Sequence, residues 1–565
     1  MGVVARMTFD RRQFISHSTA LGLAAFIAAC SDQSSRAPAP PTSTSADAST
    51  TTGAPSTTAA TTTVPPKAGD PFATPGWLAA ENARPGTSEW RIAEKVPDEF
   101  SEPLTGWIEG YADTTSARPG QVVTLYVAAD ADTWHAEAYR MGWYGGDLGR
   151  LVWSSDEVDK AWQFADEQKP VIDELGADTK MRVAAWAPSL TFTITDEWPP
   201  GSYLIKLVAS TGMAHYVPLT VRRDGAAGSL VVVSAVTTWL AYNPWGGCSL
   251  YECFDGPGRS TVASFDRPYA ASYNWGSADF LTHELPLIAL IEELGIDTAY
   301  ATNIDLHTSG LGENDEVDAV FAGRTALLST GHDEYYSTPM RTTLERAREA
   351  GVNLAFFGSN AVYRHVRLEP NDDGLAYRQM PNYRVADEDP VTENDPMQST
   401  VQWRNPPLAQ PESALIGVQY FAAGVTAALK VVNASNWVFD EVDVRNGSSF
   451  KKLVSIEADG LGPADVEPEN LEVLASGPVR YLGNEYDHAM TYYAHESGAG
   501  VFATGTIAWI NALDAEYWGD EDTTEFVRGV TSRVLTVFAS GPAGTQYPST
   551  ANASRYRRAV RPVDE

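Results

Sequence analysis

The chain has 565 residues and a formal net charge of -33 at pH 7, with 43% hydrophobic and 20% charged residues. That length and balance suit two or three cored domains and exclude a chain disordered throughout. So acidic a protein, with no basic cluster standing out, repels phosphate backbones, which excludes nucleic acid as a partner.

Residues 1–30 read as an export signal. Arg11 and Arg12 in "DRRQF" precede the apolar run "ALGLAAFIAAC", which is too short to span a bilayer permanently and ends in small residues. The paired arginines resemble a twin-arginine (Tat) signal, a route that carries folded and often cofactor-loaded proteins. "IAAC" resembles a lipobox in which Cys30 is lipidated; the alternative is an ordinary signal peptide with a chance cysteine. Residues 31–68, dominated by Ser, Thr, Ala and Pro, predict a disordered stalk with almost nothing to bury. The expected location is the extracellular face of the cytoplasmic membrane or the cell envelope, secreted or held only through an N-terminal lipid anchor.

Residues 85–224 predict an immunoglobulin-like β-sandwich. "QVVTLYVAA" alternates Val123, Leu125 and Val127 on one face, "LTFTITDEW" does the same with Leu190, Phe192 and Ile194, and "GSYLIKLVAS" and "HYVPLTVRR" follow between turn signals. In "YRMGWYGGDLGR", Tyr139, Trp143 and Tyr144 offer flat apolar surface, either as a platform for carbohydrate or a partner, or packed against the next domain.

Residues 228–545 change rhythm and predict a doubly wound α/β domain. "SLVVVSA", "IDTAYAT", "TALLSTG" and "NLAFFGSN" are continuous apolar runs suited to buried parallel strands, and residues 279–294 carry apolar side chains at helical spacing. "TPMRTTLERAREAG" predicts a helix with Thr338 as its N-cap and Pro339 in its first turn. Strand and helix alternation means a parallel sheet, whose ligands gather outside the carboxyl ends of the strands. Four loops meet that rim. They carry Trp239, Tyr242 and Asn243; "YATNIDLH" with Tyr300; "GHDEYYS" with His332, Asp333, Glu334 and Tyr335; and "GSNAVYRHVR" with Asn360, Arg364 and Arg367. Beyond residue 368 the chain is acidic and loop-rich, then strand-like, with a last helix over 523–538 and a flexible tail over 546–565.

Cys248 and Cys253, in "GGCSLYECF", predict a local disulfide in an exported chain. There is no CxxC, HExxH or G-x-S-x-G pattern, so a zinc site and a nucleophile elbow are not expected. In "SFDRPY", Asp266 and Arg267 are expected to pair with each other.

In chain order, "YRMGWYGG", "TTWLAYNPWGG", "SFDRPY", "GHDEYYS" and "FFGSNAVYRHVR" resemble the large (β) subunit of N,N-dimethylformamidase and the proteins sharing its C-terminal domain, over roughly residues 105–510. The resemblance implies an immunoglobulin-like sandwich followed by a domain like the class I glutamine amidotransferases. It implies hydrolysis of a small amide to formate and an amine, with mononuclear iron held by two tyrosines and a glutamate. Tyr335 matches one tyrosine ligand and Tyr300 is the candidate for the other; the glutamate is left open among Glu393, Glu412 and Glu334. Phenolates are hard donors that suit ferric iron. The family's partner is a small subunit; for this chain, a small subunit or a second copy is expected.

The amidotransferase nucleophile is a cysteine, and the equivalent turn here holds His332, Asp333 and Glu334 instead, so thiolate chemistry is excluded there. The expected chemistry is a metal-bound or carboxylate-activated water attacking an amide carbonyl. His332 or Asp333 would carry protons, with Glu334 beside them as a further catalytic candidate; Arg364 or Arg367 would polarise the carbonyl or hold an anionic product, and Trp239, Tyr242, Asn243 and Asn360 would contact a small amide-like substrate. His332 reads equally as a loop histidine bonding the helix start. A second reading has the chain as a non-catalytic surface lipoprotein binding envelope glycan or a protein partner.

Overall fold

The computed structural model of the protein describes residues 70–92, 106–160, 178–254, 256–312 and 318–562, with the backbone of three short strands between Phe164 and Leu175. The expected signal of residues 1–30, Cys30 with its lipid, and the stalk of residues 31–68 lie outside the described residues.

The first helix, α1, spans Trp77–Asn82. After it come β1 (Ile108–Ala112), β2 (Val122–Ala129), β3 (Thr133–Met141), β4 (Gly149–Ser154), β5 (Leu190–Thr193), β6 (Gly201–Ala209) and β7 (Ala214–Val221). β1, β2 and β5 form one antiparallel sheet, and β7, β6, β3 and β4 run side by side in another. The period of two along β2 sends Val123, Leu125 and Val127 inward, where they share one core with Trp134, Ala136, Ile205, Leu207 and Val217 from the second sheet.

The second region contributes β8 (Leu230–Ser234), α2 (Val236–Tyr242), α3 (Leu285–Glu293), β9 (Thr298–Thr302), α4 (Asn303–Leu311) and β10 (Ala326–Ser329). It continues through β11 (Tyr335–Tyr336), α5 (Thr338–Glu349), β12 (Asn353–Phe356), β13 (Arg364–His365), β14 (Gln419–Lys430), β15 (Ser449–Gly460), β16 (Glu472–Tyr481), β17 (Asn484–Ala494), β18 (Gly500–Ala503) and α6 (Glu521–Ser540). The main sheet runs β9-β8-β10-β12-β18-β17-β16, its first five strands parallel and its last two antiparallel.

Both faces of this sheet are covered, which is why its strands are apolar throughout. Val232, Leu328 and Phe502 pack with α3 and α6 on one face. Val231, Leu327 and Leu354 pack with Leu306 of α4 and Met340 and Leu344 of α5 on the other. The carboxyl ends of the five parallel strands therefore share one edge. Two expectations change here. The N-cap of α5 is Ser337, whose hydroxyl accepts from the Met340 N–H, with Thr338 the first helical residue. The segment after residue 545 is hydrogen-bonded to the body rather than free: Asn552 bonds Val473, and Arg561–Pro562 pairs with Asn484–Glu485.

The two regions meet through charge as well as apolar contact. Arg140 of β3, fully buried, donates to both oxygens of Glu292 at the end of α3, at 2.7 and 3.1 Å. Tyr144 is buried against this pair and donates to Glu81 of α1 at 2.7 Å. The "GWYGG" turn thus packs onto the α/β region, the second of its two readings.

Candidate functional site

The loop after β10 is pinned before any ligand arrives. Thr238 of α2 accepts from the Glu334 N–H at 2.9 Å, and Thr237 donates to the Tyr335 carbonyl at 2.8 Å. Tyr335 and Tyr336 then pair in parallel with Arg364 and His365. The loops after β10 and β12 run so close together that a Cβ on Gly358 would fall 1.6 Å from the Gly331 carbonyl oxygen, so only glycine is tolerated there.

This frame holds Glu334 at the centre of a hydrogen-bonded group. Arg364 Nε donates to its Oε1 at 3.0 Å, while the hydroxyls of Tyr242 and Tyr251 each lie 2.8 Å from its Oε2 and 2.5 Å from one another. Tyr335 donates to the Tyr251 oxygen at 2.8 Å. On the far side, His332 Nε2 lies 3.5 Å from Glu334 Oε2 and 3.6 Å from Oε2 of Glu457 on β15. The β14–β15 hairpin brings Glu457 there by crossing the strand ends, with the Asp459 N–H bonding the Gly505 carbonyl just beyond β18. Asn360, at φ 59°, donates its backbone N–H to Asp459 at 2.9 Å.

The two glutamates are pushed apart by their surroundings. Burial alone raises a carboxyl, but at Glu334 the close approach of His332 and the charge of Arg364 prevail and hold it well below its usual range. Burial, with the negative charges of Glu334 and Asp459 nearby, raises Glu457 against the opposing charge of His332. Burial lifts Asp459 to about 7. His332 feels the opposing penalty of burial, yet Glu334 beside it and the negative charge of Glu457 lift it to about 9. One carboxyl is thus held low and the other high on either side of one imidazole.

Other expected site residues have structural partners. Asp333 braces the loop, accepting from Ser329 (2.8 Å), Tyr336 (2.5 Å) and Asn303 (3.1 Å), and burial raises it to about 6. Arg367 points to Glu369, Asp389 and the Gln398 carbonyl, away from Glu334. Asn243 ties the Pro268, Trp245 and Ala270 backbones together. Trp239 packs edge-on against Tyr269 and Phe280 and lines a small cavity between the two regions. Asp266 pairs with Arg378 and not with Arg267, which instead donates to the carbonyls of Trp245, Cys248 and Asn243.

Tyr300 and Tyr335 do not form one donor set. Tyr300 sits mid-strand, opposite Val232, so its hydroxyl passes over the sheet face to Glu292 at 2.5 Å, while that of Tyr335 reaches Tyr251. Glu393 is absent from the Glu334 group, and Glu412 is committed to Arg404. Among the described residues no group of three or more His, Cys, Asp and Glu is placed to hold a metal ion. Tyr335 nevertheless stands among hard oxygen donors, with Tyr251, Tyr242 and Glu334, and that donor chemistry suits ferric iron.

Two site residues escape sequence reasoning. Glu457 lies on a bulged strand far along the chain from the loop it serves. Tyr251 lies in the short turn closed by the Cys248–Cys253 disulfide, where no periodicity marks it; the cysteine spacing was the one available signal.

Residues 135–523 match the family model described as N,N-dimethylformamidase beta subunit-like, C-terminal. No curated protein matches the chain. Among solved structures, an uncharacterized protein from Bacillus anthracis str. Ames is similar at 13% identity, covering 22% of this chain and 98% of its own, with a TM-score of 0.13. A cycloisomaltooligosaccharide glucanotransferase from Paenibacillus sp. is similar at 8% identity over 77% of this chain and 81% of its own, with a TM-score of 0.16. Scores this low carry no argument about fold or chemistry.

Proposed function

The chain belongs to the N,N-dimethylformamidase beta subunit-like family, and from that premise we propose that it hydrolyses the C–N bond of a small amide at the group around Glu334. The observation that carries this is the single imidazole standing between two buried carboxyls of opposed proton affinity, at 3.5 and 3.6 Å, an arrangement that separates an acid from a base. Glu457, once ionised, takes the proton from the attacking water. The His332 imidazolium returns a proton to the departing nitrogen. Glu334, kept anionic by Arg364 and two phenols, holds the imidazolium charged and oriented. Tyr251 and Tyr335 present hydroxyls beside it.

Iron belongs to the same proposal. Tyr251, Tyr335 and Glu334 are the residues that would hold it, and when bound it supplies Lewis acidity toward the amide carbonyl. We read the two-sheet region as immunoglobulin-like and the parallel-sheet region as glutamine amidotransferase-like, supported by the shared core of the former and the two covered faces of the latter. Export through the arginine-paired N-terminus and a small partner subunit or second copy complete the proposal.

The test offers the protein a panel of small formamides and acetamides and measures amine release. Glu457→Gln and Glu334→Gln should each lower the rate by roughly 10²–10⁴-fold, and metal analysis should find iron whose tyrosinate absorption disappears in Tyr335→Phe. A wild-type protein that releases no amine, or glutamine variants that release it normally, would overturn the reading.

A further inference from the structure

In a chain carrying 73 acidic and 40 basic residues, three guanidinium groups, Arg364, Arg384 and Arg259, come within one another's field beside Tyr335. Arg364 is committed to Glu334. Two others are not. Arg384 lies 4.6 Å over the Tyr251 ring and donates through Nη2 to the Leu250 carbonyl at 2.8 Å, while its Nε is buried without a hydrogen-bond partner. Arg259 donates only to carbonyls, those of Ser260, Asn382 and Tyr383. Among the described residues, neither has a carboxylate within ion-pair distance.

Such an arrangement is costly twice over. Like charges at close range repel, and burial together with the charges of Arg384 and Arg364 lowers Arg259 to about 10. Arg384 also adopts φ 68°, a left-handed backbone that a residue with a Cβ seldom takes and that tends to persist where function requires it. Both residues keep part of their surface exposed. The strongly negative molecule would repel an anion at long range, so a local cationic seat is what capture of one demands.

We propose that Arg259 and Arg384 bind a carboxylate carried by the substrate, so that the enzyme's preferred substrates are amides bearing a carboxylate rather than neutral amides. The planar fork of arginine matches a carboxylate with paired hydrogen bonds. Tyr251 sets the spacing: Arg384 covers its ring, and its hydroxyl touches Glu334, so one phenol separates the anionic end of the substrate from the C–N bond to be broken. This inference rests on the hydrolase reading for its substrate, and not for its binding site.

Two measurements separate the claims. In the first, succinate is titrated calorimetrically into the full chain, with succinamide as the uncharged control. Saturable succinate binding should weaken at least tenfold in Arg384→Gln and in Arg259→Gln and recover in part in Arg384→Lys, with succinamide giving no saturable heat. Arg384→Gln serves if Arg259→Gln fails to fold. In the second, Arg384→Gln should raise KM for N-acyl amino acids at least tenfold more than for neutral amides of the same size. Succinate binding unchanged in Arg384→Gln, or equal loss for charged and neutral amides, overturns the proposal. Arginine-dependent succinate binding without any amide cleavage would overturn the hydrolase reading while upholding the anion seat.

Discussion

Glu284 shows how one buried acid sets a pH dependence. It is 1% exposed and accepts from the Ala235 N–H at 2.9 Å and the Thr330 hydroxyl at 3.0 Å, neutral donors both. Burial raises it from an ordinary 4.5 to about 8. A carboxyl raised on folding contributes stability that is fully present below its unfolded value and lost as pH climbs through its folded one. Urea unfolding should therefore show stability falling between pH 5 and 8 with a slope approaching about 1.4 kcal/mol per pH unit from this group. Glu284→Gln should remove that slope and leave the variant the more stable at pH 8; identical slopes would refute the assignment. At this scale the sequence is only partly legible. The loop residues His332 and Glu334 stand out by clustering at a strand end. Tyr300 misleads because the last two residues of β9, Ala301 and Thr302, lie between it and the rim, and the period of two turns its ring onto the sheet face.

At the scale of elements, continuous apolar runs identify β8, β9, β10 and β12 because both sheet faces are covered, and α6 announces itself by one apolar stripe. What periodicity cannot show is which hairpin crosses the strand ends. β14 and β15 carry register shifts near Ala423 and Ala427, so their alternation breaks where Glu457 turns toward the rim. The Cys248–Cys253 turn is equally opaque, yet it delivers Tyr251 to Glu334. Backbone bonds such as Ser249 to Glu252 and Leu250 to Ala241 already fold this turn, and the disulfide restricts it further. Reduction should cost about 2 kcal/mol and raise amide hydrogen exchange over residues 247–254, while α5 and β8 keep their protection. Exchange unaltered by reduction would show that the backbone bonds suffice.

At the scale of the molecule, the seam between the two regions is closed by a buried charge network. Arg140 and Glu292 sit at its centre, with Tyr300, Tyr144, Glu81 and Arg150 around them. Removing one charge strands the other away from water. Arg140→Met should lower stability by about 3–5 kcal/mol and split the calorimetric transition as the regions uncouple, whereas Arg140→Met with Glu292→Leu should recover much of the loss. A single transition of unchanged midpoint in Arg140→Met would show that apolar contact alone closes the seam.

The short helix α1 occupies that same seam. Trp77 donates to the Ala227 carbonyl where the sandwich passes into the parallel sheet, the backbone of Gly76 and Leu78 grips Asp297, and Asp70 pairs with Arg223. The polypeptide thus joins the folded body at its waist rather than at either end. Any pull transmitted through the residues before Asp70 would bear first on the joint between the two halves.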